Sequence, residues 1–213
     1  MKPSLNKKIK RAPNRQSRSK QINSDLLLTA YHEAGHIICG ILNFCYIQSS
    51  KLIHSNYGIT KYKYFVMVSD KPTPLDESIF HSQLSVLLAG QAAEQILIRE
   101  LFGSEINLSK NRASSEDFKE VSLLLRKNKI PADVGKSLKR AIQNLIIDKL
   151  TEHWSCVRAL AHFLISNKSL KYDQIKLFLT NLDHDDDGFW RERYRVIESI
   201  YGAEIEPALR LSA

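Results

Sequence analysis

Between residues 25 and 42 apolar side chains recur at helical spacing and crowd together at Ile37, Ile38, Ile41 and Leu42. This predicts a buried helix opened by Ser24 as N-cap and closed near Asn43. The period then shortens. Residues 46–54 and 58–68 are rich in Ile, Tyr, Val and Thr, alternate apolar positions with Lys or Ser, and flank the turn-like run SNYG at 55–58. They predict two short strands paired as a hairpin with one wet face. The KPTP run at 71–74 breaks the pattern, and helical spacing returns over 76–102 through Leu84, Leu87, Leu88, Ala92, Ile96 and Leu97, stopping at Gly103. Further helices are predicted over 114–127, over 132–165 with a break inside it, and over 172–182. The expected fold is α+β and mainly helical, a helical domain with a small hairpin or sheet beside the first helix.

Composition is that of an ordinary globular protein, but charge is unevenly placed. The first twenty residues hold eight Lys/Arg and no Asp or Glu, so the whole formal charge of +8 sits there. Residues 1–23 are therefore read as a basic, disordered tail with too little to bury, and 24–213 as a single domain. The tail is suited to contact with an anionic surface, such as phosphate or a membrane, but no aromatic residues are interleaved for base stacking. No run of about 18 apolar residues is present to span a membrane, and no signal-peptide pattern follows the basic start. Cys39, Cys45 and Cys156 lie in apolar surroundings without CxxC spacing, as free buried thiols do in a reducing, cytoplasmic setting.

The first predicted helix carries YHEAGH at 31–36. Residues four apart share a helix face, so His32 and His36 can present both imidazoles to one ion, with Glu33 projecting to the side where water would sit. Zinc suits neutral imidazoles combined with a carboxylate, and a catalytic site needs three protein ligands and one open position. Acidified there, water can yield its proton to Glu33 as general base. A surface helix with two decorative histidines is the bland alternative. Against it, Gly35 inside the motif costs about 1 kcal/mol relative to Ala, a penalty usually offset by close packing. Spacing alone leaves the third ligand open between Glu94, on the small-residue helical face LAGQAAE at 88–94, and Asp117, in the first turn of the 114–127 helix.

Three segments, YHEAGH at 31–36, LAGQAAE at 88–94 and SEDFKEVS at 115–122, occur in the order and approximate spacing of the peptidase domain of FtsH-type zinc metalloproteases. The run LAHFLISNKSL at 160–170 and residues 173–179 resemble that family's closing helices, so the likeness spans most of 24–182. The resemblance implies an FtsH-peptidase-like domain that binds one Zn2+ per chain through His32, His36 and Asp117. Glu33 would be the base, and Glu94 would support a histidine ligand from behind. It also implies that the stretch YGIT at 57–60 binds an extended peptide by strand addition. Family members work with ATPase and transmembrane parts, assembled as hexameric rings, and this sequence shows no GxxxxGK[ST] phosphate loop. The expectation is a zinc endopeptidase acting on peptides or unfolded proteins, with a separate ATPase or adaptor as a candidate partner. A catalytically silent binding protein of the same fold is the rival. One departure is Glu116, which adds a carboxylate beside Asp117.

The run DHDDDG at 183–188 matches the opening of a calcium loop, but Tyr194 stands where the twelfth-position glutamate belongs, which favours an acidic surface turn. His54, His81, His153, His162 and His184 have no ligand spacing.

Overall fold

The computed structural model describes residues 15–64, 74–103, 114–183 and 188–210. In chain order the elements are α1 (Arg15–Leu42), β1 (Tyr46–His54), β2 (Tyr57–Lys63), α2 (Pro74–Phe102), α3 (Ser114–Lys127), α4 (Ala132–Glu152), α5 (Trp154–Asn167), β3 (Ser169–Lys171), α6 (Tyr172–Thr180) and α7 (Phe189–Arg210). The fold is thus mainly helical with one small antiparallel sheet. Among the described residues no helix is long and apolar enough to cross a membrane.

Every residue from 29 to 41 of α1 is buried. A helix enclosed on all sides needs neighbours all round, and α1 packs against α2, α5, β1 and β2. The approach to α2 is close because small residues face each other. A Cβ at Gly35 would come within 2.6 Å of the Ala89 carbonyl oxygen and 2.8 Å of the Ala93 Cβ. Any other residue at position 35 would push the two helices apart. The cost of a glycine in mid-helix is thereby offset by the packing of α1 onto α2. On its other side α2 packs against α3 and α4, which brings the first turn of α3 toward the motif on α1.

The sheet has the order β2-β1-β3. β1 and β2 pair antiparallel with Ser50 opposite Thr60, and Ser50 also faces Leu170 of β3. β3 was not among the predicted elements, since three residues are too few to show a period. It forms because Lys168, at φ 64°, turns the chain out of α5, and its carbonyl accepts a hydrogen bond from the Leu52 amide at 2.8 Å. α7 was also not anticipated, although Trp190, Tyr194, Ile197 and Tyr201 recur at helical spacing and are all buried. It braces the site's scaffold. Arg193 donates to the Leu42 carbonyl at the end of α1, and the Tyr201 hydroxyl donates to the Lys63 carbonyl at the end of β2.

Boundaries differ in places. α1 opens at Arg15, not after Ser24, so residues 15–23 are helical where a disordered tail was expected; residues 1–14 lie outside the described residues. Arg, Gln and Lys are good helix formers, and extending an anchored helix costs little once its nucleus exists. β2 ends at Lys63, short of the expected Val68, and residues 65–73, including most of the KPTP run, lie outside the described residues. The break expected within 132–165 falls at His153, which separates α4 from α5, and α6 stops at Thr180. Cys39 and Cys45 are buried free thiols, whereas Cys156 is half-buried.

Residues 184–187 of the DHDDDG run lie outside the described residues. Asp183 itself is committed elsewhere: its two carboxylate oxygens accept the Trp190 and Arg191 amides at 3.1 Å each, satisfying the open N-terminus of α7. Tyr194 is buried inside that helix, which suits a packing role rather than a calcium ligand.

Candidate metal centre

His32 and His36 stand one turn apart on the buried part of α1, their rings edge to face with centroids 4.6 Å apart. Each ring is held from behind by α2. The His36 Nδ1 lies 2.7 Å from the Val86 carbonyl oxygen, and the His32 Nδ1 lies 2.8 Å from the Glu94 Oε1. Both partners are acceptors, so both Nδ1 atoms carry hydrogen and donate. That fixes the tautomers and leaves both Nε2 lone pairs as the outward-facing donor atoms toward an ion. Space for the His32 ring comes from Gly90, where a Cβ would sit 2.5 Å from its Cε1 and Nε2 atoms.

The two Nε2 atoms are 3.0 Å apart, and the Asp117 Oδ2 lies 2.9 Å from that of His32 and 3.4 Å from that of His36. Three Lewis-basic atoms thus form a small triangle. With both Nδ1 atoms carrying hydrogen, two Nε2 lone pairs face each other at this separation, and a cation among the three atoms, a metal ion or a proton, relieves their repulsion. An ion with tetrahedral bonds of about 2.0–2.1 Å spaces its ligand atoms about 3.3 Å apart, which the observed edges approach. The donor set and its dimensions fit a metal ion. Among the described residues no other group of three or more His, Cys, Asp or Glu side chains brings its donor atoms this close.

Charge tells the same story. Burial works against a proton on His32, but the Asp117 and Glu94 carboxylates outweigh it and push its pKa up to about 10. Burial likewise opposes the charge on Asp117, yet its close contacts with the His32 and His36 rings hold its carboxyl well below the usual range. Without a metal the centre keeps a proton as its cation.

Glu33 is 3% exposed, and burial raises its pKa, offset in part by the charge of His36 and His32 and by a hydrogen bond from Thr60. That bond, from Thr60 Oγ1 to Glu33 Oε2, is 2.6 Å long. On the other side of the carboxylate is Gly58, where a Cβ would fall within 2.6 Å of the Glu33 Oε1. A cleft of about 460 Å³ opens over the centre, lined by His32, Glu33, His36 and Asp117 and by β2 from Tyr57 to Tyr62. Among the described residues β2 pairs only with β1.

All five residues singled out in the sequence meet here. The alternatives for a third ligand separate cleanly: Asp117 faces the Nε2 triangle, whereas Glu94 contacts the opposite nitrogen of His32. Sequence reasoning missed the Val86 carbonyl, which has no side-chain signature, and the hydroxyls of Thr60 and Ser50. It also passed over Gly90, legible only as one more small residue. No family model matches the chain, and no curated protein matches it.

Proposed function

We propose that the protein is a zinc-dependent endopeptidase of the FtsH-peptidase kind, hydrolysing peptides or unfolded proteins. The observation that carries this reading is the buried triangle of two imidazole nitrogens and one carboxylate with a second carboxylate, Glu33, beside it in an open cleft. His32, His36 and Asp117 would hold the ion, and two histidines with a carboxylate are a donor set natural to catalytic zinc. When bound, zinc supplies Lewis acidity, polarising the scissile carbonyl and acidifying the attacking water. Glu33 accepts the proton of that water as its oxygen bonds to the carbonyl carbon, and returns it to the amine nitrogen as the C–N bond breaks. Glu94 keeps the His32 ring oriented throughout. The edge of β2 along the cleft can take an extended peptide by main-chain hydrogen bonding, which favours unfolded substrates over folded ones. Folded substrates would then need a separate unfoldase or adaptor to supply an extended segment.

The test measures zinc content and cleavage of unfolded casein and a quenched fluorescent peptide, with and without chelator. The expected result is one zinc per chain, cleavage abolished by chelator and restored by zinc, and a Glu33→Gln variant that keeps zinc but does not cleave. Zinc-loaded wild-type protein that leaves every substrate intact overturns the reading in favour of a silent binding protein.

A further inference from the structure

Behind Glu33 lies a directed line of hydroxyl groups that the general-base role alone does not require. The Thr60 hydroxyl has one hydrogen, and Glu33 Oε2 is its acceptor at 2.6 Å. Thr60 must therefore accept at its second contact, the Ser50 hydroxyl at 2.9 Å, so that Ser50 donates to Thr60 and Thr60 donates to Glu33. The register of the sheet builds this line, since Ser50 of β1 stands opposite Thr60 of β2. Ser50 is fully buried, in the central strand between β2 and β3, so its hydroxyl is anchored to the most constrained part of the sheet.

We infer that Thr60 is a positioning residue for Glu33, with Ser50 as its support; this inference rests on the peptidase reading. A glutamate has three side-chain torsions, and a carboxylate held only by packing can turn away from its task. Thr60 fixes Oε2, which assigns Oε1, next to Gly58, as the oxygen that receives and returns the proton. Gly58 leaves room for the whole side chain: a Cβ there would lie 2.6 Å from both Cγ and Oε1 and would displace the carboxylate. Because Thr60 belongs to β2, the strand proposed to dock the substrate also holds the base, and the two keep one spacing. Misplacement by about 1 Å can cost on the order of 100-fold in rate, so a single hydrogen bond at this point has leverage.

Two measurements test the assignment. The first needs no activity: denaturation midpoints of the metal-free protein for Thr60→Val, Glu33→Ala and the double variant. Thr60→Val should lower the midpoint in the wild-type background and much less in the Glu33→Ala background. The second compares kcat and KM of the zinc-loaded Thr60→Val, Thr60→Ser and Ser50→Ala proteins on the quenched peptide. Thr60→Val should lose about 10–100-fold in kcat with KM and zinc content unchanged, Ser50→Ala should lose less, and Thr60→Ser should recover most of the rate. Equal midpoint losses with and without Glu33, or a Thr60→Val enzyme with wild-type kcat, overturn the inference. Coupled midpoints in a protein whose zinc-loaded wild type cleaves nothing would uphold the hold on Glu33 and reject the peptidase reading instead.

Discussion

The His32 Nδ1 and the Glu94 Oε1 meet at 2.8 Å across 62 residues of sequence, and their side chains are 3% and 1% exposed. A carboxylate so deeply buried requires a partner, and a histidine ligand requires its second nitrogen fixed. Each satisfies the other. Glu94→Ala should weaken zinc binding by about 10–100-fold, the usual cost of losing such a partner. Glu94→Gln, whose amide oxygen still accepts from Nδ1, should lose less. Competition against a chromophoric chelator reads both values, and unchanged affinity in Glu94→Ala would remove Glu94 from the centre's support.

The metal-free protein should show a stability plateau bounded on both sides. The pKa of His32 is raised from an ordinary 6.5 to about 10, so its contribution is fully present below 6.5 and is lost as pH rises through about 10. The pKa of Asp117 is lowered from an ordinary 3.8, so its contribution is present above 3.8 and is lost as pH falls through the depressed value. Glu33, raised above 4.5, acts in the opposite sense and costs stability once ionised. Zinc must displace the His32 proton, so apparent affinity should rise about tenfold per pH unit toward pH 10, one proton being released per ion. Titration calorimetry at pH 8 in buffers of different ionisation enthalpy counts that proton; finding none would mean that His32 is already neutral.

Gly90→Ala pits two magnitudes against each other. Alanine gains about 1 kcal/mol of helix propensity over glycine. The new methyl, however, would lie 2.5 Å from the His32 ring, and overpacking of this kind costs about 1–3 kcal/mol. Overpacking should win, lowering the melting temperature and displacing His32 enough to reduce zinc stoichiometry. A variant more stable than wild type with full zinc would show that the ring has room to move.

Much of this centre was legible in the sequence because its parts are local. Spacing within one helix puts His32 and His36 on a shared face, and Gly35 within the motif signals close packing before its contact with Ala89 is seen. α1, β1, α2, α3, α4 and α6 were read with one end or both in place, since periodicity is a property of a single segment. What spacing could not supply was contact between segments. Spacing left Glu94 and Asp117 both open as the third ligand, and only the family resemblance implied Asp117; tertiary geometry sets Glu94 against Nδ1 and Asp117 against Nε2. The Thr60 and Ser50 hydroxyls look like ordinary β-sheet residues until strand register aligns them. α7 escaped notice because Arg191, Glu192, Arg193 and Arg195 interrupt its buried stripe with charge.

The last prediction separates Asp117 from its neighbour Glu116. Both carboxylates lie in the first turn of α3, where an acid usually contributes only about 0.3–1 kcal/mol by interacting with the helix dipole. If that were the whole role of Asp117, replacing either residue with alanine would have the same small effect. The geometry breaks the equivalence: Asp117 reaches both Nε2 atoms, whereas Glu116 is exposed and, among the described residues, accepts a long 3.4 Å contact from the Tyr57 hydroxyl. Asp117→Ala should therefore lose zinc by more than the ~10–100-fold expected for an outer hydrogen-bond partner, and lose cleavage with it. Glu116→Ala should bind zinc as wild type does. Equal zinc affinity in the two variants, measured by chelator competition, would return Asp117 to the role of a helix-dipole partner and leave the two histidines without their third ligand.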